Sequence, residues 1–225
     1  IDHLFHLAPG GIYSRQAGQA TNPYTYELLP SIVDHRHHMA AYSGVQVYLG
    51  DKYPEEYVGK VMMGNIHDNA VHADMLTPKG SSFVSSEWQD FLRSDGDGWF
   101  RPVSEQVGPD GNLWIADWYD KYPCYQNARA DPEGVDRVYG RIWRVVYTGG
   151  NDDQVAPSRN IVDMNLAALS SGVLTQLLGH KNIWHRKMAQ RLLSERGEEG
   201  FGEPVLHPET PIHKLFENGT TLEAR

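Results

Sequence analysis

The sequence predicts a mainly β protein followed by a small pair of α-helices, and two observations support this prediction. Short apolar runs separated by Gly, Pro, Asn and Asp recur up to about residue 148, which is typical of short antiparallel strands. Beyond that point, apolar residues recur at helical spacing instead. We therefore expect β structure over 1–150, a helical hairpin over 151–200 and a tail over 201–225.

The clearest strand pair surrounds the sequence Gly108-Pro109-Asp110-Gly111. Gly111 supplies the positive φ that a tight turn needs. The strand after it alternates large apolar residues with small or polar ones and ends at the acid Asp117, as strands in the blades of β-propellers do. This layout predicts that the β region is a partial β-propeller. The predicted strands are 11–15, 45–49, 60–66, 69–77, 82–84, 102–107, 113–118 and 140–148.

Two amphipathic helices are predicted after residue 150. The first is indicated by apolar residues at i, i+3, i+7, i+8, i+11 and i+12, and the second by an apolar face that starts at Trp184. Gly179 and Gly197 would end them. Two helices joined by so short a turn are typical of one unit of a HEAT-like repeat. The residues of the first helix face are Leu166, Leu169, Val173, Leu174, Leu177 and Leu178.

Composition and missing motifs exclude several classes of function. The chain of 225 residues has a formal net charge of −9 and no basic stripe, so we expect no nucleic-acid partner. No apolar run approaches the roughly 20 residues that a membrane span needs. The single cysteine, Cys124, allows no internal disulfide, and no haem-attachment motif is present. P-loop, dinucleotide-binding, serine-hydrolase and zinc-protease motifs are also missing.

The densest group of candidate functional residues is Asp34-His35-Arg36-His37-His38. Three histidines and an acid within five residues can provide a general base or metal ligands. The plain alternative is a solvated, hydrogen-bonded loop. A second group, Asn65-Ile66-His67-Asp68-Asn69, lies between two predicted strands. A hairpin turn alone would account for its Asn and Asp residues, but imidazole has no special value in a turn, which singles out His67.

Two further groups have weaker signals. Asp95 and Asp97 lie in the sequence Ser94-Asp95-Gly96-Asp97-Gly98, whose oxygen ligands and sharp turn are typical of calcium loops, although the full twelve-residue pattern is missing. Arg101 follows two aromatic residues, and Asp117 ends a predicted strand. An arginine there would clamp a carboxylate or a quinone oxygen, or would pair with an acid in a structural role.

The ordered set of motifs resembles a family of bacterial exported proteins, the membrane-bound dehydrogenase family. The similarity covers roughly residues 1–197 and includes Asp34-His35-Arg36-His37, Asn65-Ile66-His67, Trp99-Phe100-Arg101-Pro102, Gly108-Pro109-Asp110-Gly111, Asp117-Trp118-Tyr119-Asp120 and Gly140-Arg141-Ile142-Trp143. In that family a propeller like that of quinoprotein glucose and sorbosone dehydrogenases precedes HEAT-like repeats. A complete propeller of this type is about twice as long, so the chain resembles its C-terminal blades and the first helical repeat.

The resemblance implies oxidation of a sugar or alcohol with pyrroloquinoline quinone and calcium. In that case His35 is the general base and Arg101 stabilises the reduced quinone. Cofactor-binding residues would be Asp34, His37, Asn65, His67 and Asp117, and Asp95 and Asp97 would bind the metal. The implied location is periplasmic or extracellular. The implied partners are a small sugar or a polysaccharide and a cytochrome that accepts electrons.

Two other functions fit the same residues. A propeller face rich in Trp and Tyr would bind a polysaccharide or a protein without catalysis. Alternatively, His35, His37 and His67 would form a transition-metal site for oxidative or hydrolytic chemistry.

Overall fold

The structure is a computed structural model that describes residues 2–14, 27–36, 41–96, 98–123, 129–149 and 164–197. It is mainly β, with two antiparallel sheets and a few helices, as the sequence predicts. No closed barrel is detected within these residues, and the partial propeller stays a prediction. None of the helices described is long and apolar enough to cross a membrane.

The described residues divide into two compact units. The first draws on residues 1–48, 59–106 and 115–143, and the second on 49–58, 107–114 and 144–225. Each unit is therefore built from several stretches of sequence. The division at residue 150 stays a prediction about where strands give way to helices.

The first unit contains a four-stranded antiparallel sheet in the order β1-β2-β3-β4. All five residues of β2 are buried, because β2 is a central strand of consecutive apolar and small residues. The pairing of β3 with β4 shifts register at two places, next to Val71 and next to Ala73. The strands are β1 Tyr42–Val47, β2 Val61–Asn65, β3 Ala70–Lys79 and β4 Ser82–Arg93.

Tight turns join the last three strands of this sheet. Between β2 and β3 the side-chain oxygen of Asn65 accepts hydrogen bonds from the backbone N–H groups of His67 and Asp68, at 3.1 and 3.2 Å. Asn69 then adopts a φ of 52°, which Asn tolerates better than most residues. The turn between β3 and β4 contains Gly80 at a φ of 60°.

The outer strand β4 is much longer than the predicted segment 82–84. The sequence beyond Val84 contains Ser, Glu, Gln and Asp, which have low strand propensity, and this misled the prediction. Polar and charged residues are nevertheless common on the outer strand of a sheet, where they discourage pairing with other chains. A segment near residue 33 runs parallel to β4 through a bridge between Val33 and Ser85.

The second sheet has three strands in the order β5-β6-β7. Its first two strands are joined by the predicted tight turn, in which Gly111 has a φ of 80° and donates its N–H to the carbonyl of Gly108 at 3.0 Å. The strands are β5 Pro102–Val107, β6 Leu113–Asp117 and β7 Arg141–Val145.

Two helices follow, α1 Ser171–Leu177 and α2 Ile183–Glu195. They pack around four buried apolar residues, Leu166, Leu174, Ala189 and Leu193. The first helix starts later than its apolar spacing predicts, because Ser170 caps α1 through its side-chain oxygen. Leu166–Ala168 is a separate 3-10 turn. Asn182 caps α2 in the same way as Ser170 caps α1.

Candidate functional site

The segment that contains His35 is held along the outer strand β4. The N–H of Asp34 donates to the carbonyl of Ser85 at 3.0 Å, and the N–H of Ser85 donates to the carbonyl of Ile32 at 2.8 Å. These two hydrogen bonds place residues 32–34 like an added parallel strand. The His35 side chain is thereby brought to the part of the sheet that contains Asp74.

His35 lies between two carboxylates. Its Nε2 is 3.3 Å from an oxygen of Asp74, and its Nδ1 is 3.3 Å from an oxygen of Asp34. Asp74 is fully buried, whereas the side chain of Asp34 is 50% exposed. The Ser86 hydroxyl donates to Asp34 at 2.5 Å, and this hydrogen bond lowers the pKa of Asp34. One ring nitrogen of His35 therefore contacts a buried acid, and the other contacts an acid at the surface.

His3 joins this pair, which the sequence did not predict. Its Nε2 is 3.6 Å from the second oxygen of Asp74, and its side chain is 1% exposed. Its ring stacks on Tyr42 with a centroid distance of 4.5 Å and meets the ring of His35 edge-on at 5.2 Å. One ligand atom from each of His3, His35 and Asp74 lies within 4.8 Å of the other two. We refer to these three residues as the histidine cluster.

A second charged group lies on the same sheet. The Nδ1 of His72 is 2.5 Å from Asp90, and its Nε2 is 3.2 Å from Asp68. Arg93 donates to both carboxylates and thereby lowers the pKa of Asp68. The pKa of Asp90 is also lowered, because hydrogen bonds from Arg93 and His72 outweigh its burial. His72 is buried, so this group consists of a buried histidine with two acidic partners.

Arg101 is buried, and its guanidinium is bound by main-chain oxygens. It donates to the carbonyls of Ile66, Asp120 and Lys121 and to the side chain of Asn69. Burial lowers the pKa of Arg101. The arrangement favours the structural alternative for this residue, because its donors already satisfy buried carbonyl groups.

The side chains of Asp117 and Asn65, like that of Arg101, form hydrogen bonds within the protein. Asp117 accepts hydrogen bonds from the backbone N–H groups of Arg101 and Tyr119 and from the Trp143 indole, at 2.7 to 2.8 Å. Asn65 is fully buried, and its side-chain oxygen holds the β2–β3 turn through two backbone N–H groups. Both side chains therefore accept hydrogen bonds from nearby backbone N–H groups.

Of the remaining predicted site residues, two lie in the part of the chain that the structure describes and two lie outside it. His67 is half-buried in the β2–β3 turn, and Asp95 is exposed after β4. His37 and Asp97 lie outside the described residues. Their roles, and the calcium site at Asp95 and Asp97, stay predictions.

Glu105 is a buried carboxyl group that sequence analysis missed. It is 1% exposed, and burial raises its pKa to about 8. A side chain at Gly44 or Gly64 would collide with this carboxylate, so the two glycines leave the space that it fills. A Glu between Ser and Gln in a strand has no feature in the sequence that distinguishes it from an exposed one.

The residues predicted to contact pyrroloquinoline quinone are not equally available to it. A quinone with several carboxylates needs cationic and amide donors that are not already bound. The guanidinium of Arg101 and the oxygens of Asp117 and Asn65 are engaged within the protein. These three groups are therefore committed to the protein itself, and the predicted contacts of Asp34, His37 and His67 with the quinone stay predictions.

Residues 11–149 match the model of a family described as a domain of unknown function, DUF7133. The match covers more than half of the chain, and the chain belongs to this family. A search of curated proteins and a search of solved structures each gave no match. The matched range includes His35 and Asp74 but ends before the helices and begins after His3.

Proposed function

We propose that the chain is part of a sugar or alcohol dehydrogenase of the quinoprotein propeller type, in which His35 accepts the proton of the substrate hydroxyl. The support is the resemblance in ordered motifs together with one observation, the His35–Asp74 pair. In this proposal the two sheets are propeller blades and the helix pair is HEAT-like. Pyrroloquinoline quinone with calcium is the electron acceptor that the resemblance implies, and the protein would act in the periplasm or outside the cell.

The two acids give the two nitrogens of His35 different roles. The buried Asp74 would fix the ring and stabilise the imidazolium that forms when Nδ1 takes a proton. Nδ1 faces the half-exposed Asp34, so it is the nitrogen on the solvent side. A substrate hydroxyl that displaces the Asp34 carboxylate would then donate its proton to Nδ1.

The test is dye-linked oxidation of a panel of sugars and alcohols, with pyrroloquinoline quinone and calcium added. His35→Ala should lower turnover by about 100-fold or more, because general-base catalysis is typically worth that much. His6→Ala is the matched control, since His6 is an exposed histidine whose side chain contacts Ser82. Full activity of His35→Ala, or a folded wild-type chain that reduces no dye, would refute the proposal.

The histidine cluster also supports a second function, a transition-metal enzyme. Bonds of about 2.1 Å to a tetrahedral ion put two ligand atoms about 3.4 Å apart. The histidine nitrogens lie 3.6 and 3.3 Å from different oxygens of Asp74, and one ligand atom of each residue lies within 4.8 Å of the other two, so modest side-chain adjustment would bring the three to that spacing. Asp34 at Nδ1 of His35 and the Ser85 hydroxyl on Asp74 occupy the positions from which outer groups orient metal ligands. Two imidazoles and one carboxylate suit zinc or iron.

His3 distinguishes the two functions, because it would be a ligand in the metal site and only a packing residue in the dehydrogenase. Titration of the metal-stripped protein with zinc and with cobalt should give one site per chain. His3→Gln should weaken that site by about 100-fold or more, and His6→Gln should leave it unchanged. Dye-linked activity that survives His3→Gln, with no stoichiometric metal in the wild type, would reject the metal enzyme and retain the dehydrogenase.

A further inference from the structure

The first unit contains a pocket of about 460 Å³ that none of the predicted roles explains. Its volume lies in the range of small-molecule sites, which typically run from about 300 to 1,000 Å³. Its walls combine aliphatic and aromatic side chains with arginine. The residues that define its chemistry are Ile66, Val103, Trp118, Tyr122, Val135 and Arg137.

Trp118 gives the pocket an exposed aromatic surface that is held in place. Its side chain is 61% exposed, although tryptophan is usually largely buried. The indole Nε1 donates to Asp120 at 3.0 Å, and the Trp118 backbone N–H donates to the carbonyl of Arg101 at 3.0 Å. The ring is therefore fixed by its edge and by its backbone, while its face stays open to a ligand.

The charges around the pocket favour an anion. Among the described residues, Arg101 and Arg137 line it together with a single acid, Asp120. Both oxygens of Asp120 already accept hydrogen bonds, one from the Trp118 indole and one from the backbone N–H of Asp136. Arg101 is bound to carbonyl groups, whereas Arg137 is exposed and makes no ion pair with any residue that the structure describes. Of the two described arginines that line the pocket, Arg137 is thus the one with donors left for a ligand.

The carboxylate next to Arg137 in sequence does not compete for it. Asp136 accepts hydrogen bonds from the backbone N–H groups of Val138 and Tyr139, at 2.9 and 3.0 Å. These bonds lower the pKa of Asp136 and turn its carboxylate toward the main chain. An incoming carboxylate would meet the guanidinium of Arg137 in the paired geometry that arginine favours.

We propose that this pocket binds an acidic sugar, a uronic acid residue, with its ring on Trp118 and its carboxylate on Arg137. The polarised C–H groups of a pyranose face are attracted to the negative face of an indole. The apolar walls cover the sugar ring, and the volume allows one ring or two. The proposal does not rest on the proposed dehydrogenase, since it concerns binding and names neither His35 nor a cofactor.

The test is calorimetric titration of the whole chain with methyl β-D-glucuronide and, separately, with methyl β-D-glucoside. These probes differ only in the carboxylate. We expect the glucuronide to bind at least about tenfold more tightly, and Arg137→Gln to lower its affinity to that of the glucoside. Trp118→Ala should weaken both sugars by a similar factor. Arg129→Gln is the matched control, because Arg129 is an exposed arginine that does not line the pocket, and it should change neither affinity.

Equal affinity for the two sugars in the wild type, or a preference that survives Arg137→Gln, would overturn the proposal. Absence of binding at millimolar glucuronide would do the same, provided that circular dichroism shows a folded chain. Trp118 and Arg137 are both exposed, so their substitution should leave the fold intact and keep the result interpretable.

Discussion

The four-stranded sheet and the helix pair differ in the polar groups that they bury. The helices pack around Leu166, Leu174, Ala189 and Leu193, and their buried His185 and Arg186 hydrogen-bond to main-chain carbonyls. The unit that holds the sheet buries His72, Asp74 and Glu105 to 1% exposure or less. Burying apolar surface stabilises a fold by about 25 cal/mol per Å², whereas burying a charge is costly unless partners compensate. The difference teaches that the helix pair needs no explanation beyond packing and main-chain hydrogen bonding, whereas the carboxylate–histidine pairs of the sheet point to chemistry.

The largest expected effect tests the apolar half of this comparison. Leu174 is fully buried between α1 and α2, so Leu174→Ala should destabilise the helix pair by about 3 to 4 kcal/mol through lost transfer energy and a cavity. Thermal unfolding followed by helical circular dichroism measures this loss. Val173→Ala, on the 41% exposed neighbour, should cost far less. Equal losses would mean that the helix pair does not depend on this core.

The next effect tests the charged half. The folded-state pKa of Glu105 is about 8, above its ordinary value of 4.5, because of burial. The native state therefore keeps a proton that the unfolded chain releases, so this contribution to stability is complete below pH 4.5 and falls as pH rises towards 8. Glu105→Gln cannot ionise. The free energy of unfolding of the variant, relative to that of the wild type, should therefore rise by about 3 kcal/mol from pH 4 to pH 7.

Urea unfolding at a series of pH values measures that gain. Glu87→Gln, on an exposed carboxylate of β4, is the control and should show no comparable change with pH. A constant difference between Glu105→Gln and the wild type over this range would show that Glu105 ionises normally in the folded protein.

A smaller effect is expected at the start of α1. The Ser170 side chain accepts the N–H of Val173 at 3.4 Å, so Ser170→Ala should cost about 1 kcal/mol through loss of the cap. Chemical denaturation monitored by circular dichroism gives the value. Ser194→Ala replaces an exposed serine inside α2 and should be close to neutral. If both serines behaved alike, capping would not define where α1 begins.

The smallest expected effect concerns ion pairs, one on the helix α2 and one group on the four-stranded sheet. Arg191 pairs with Glu195 at 2.7 Å on the exposed surface of α2, and such pairs contribute little. Arg191→Gln should leave the melting temperature unchanged within error. Arg93→Gln should lower it, because Arg93 bridges Asp68 and Asp90 beside the buried His72. High salt should only partly reduce the drop in melting temperature caused by Arg93→Gln. If high salt abolished the difference in melting temperature between this variant and the wild type, the network would lie fully in solvent.

The sequence predicted those parts of the fold that depend on local pattern. Turn residues located the hairpins at Asn69 and Gly111, and apolar spacing located both helices. It failed where tertiary context decides: β4 continues through polar residues because pairing with β3 satisfies its backbone. A local pattern cannot report such pairing.

The candidate site shows the same limit. The histidine-rich segment singled out His35, but its partners His3 and Asp74 are 32 and 39 positions away in the sequence and have no local signal. Arg101 stood out by its aromatic neighbours, and the structure shows its guanidinium bound to carbonyls instead of exposed in a cleft. Residue type predicted that Arg101 matters, and only the three-dimensional arrangement indicates what it binds.

The pairing of residues 32–34 with the outer strand β4 determines both the position of His35 and the protection of the sheet edge. The same hydrogen bonds that position His35 also cover part of an edge that would otherwise be open to other chains. A local opening of this segment would separate His35 from Asp74 and expose the edge at Ser85 in one event. Loss of site geometry and onset of self-association should therefore share one opening equilibrium, and hydrogen exchange at the N–H groups of Asp34 and Ser85 would report its free energy.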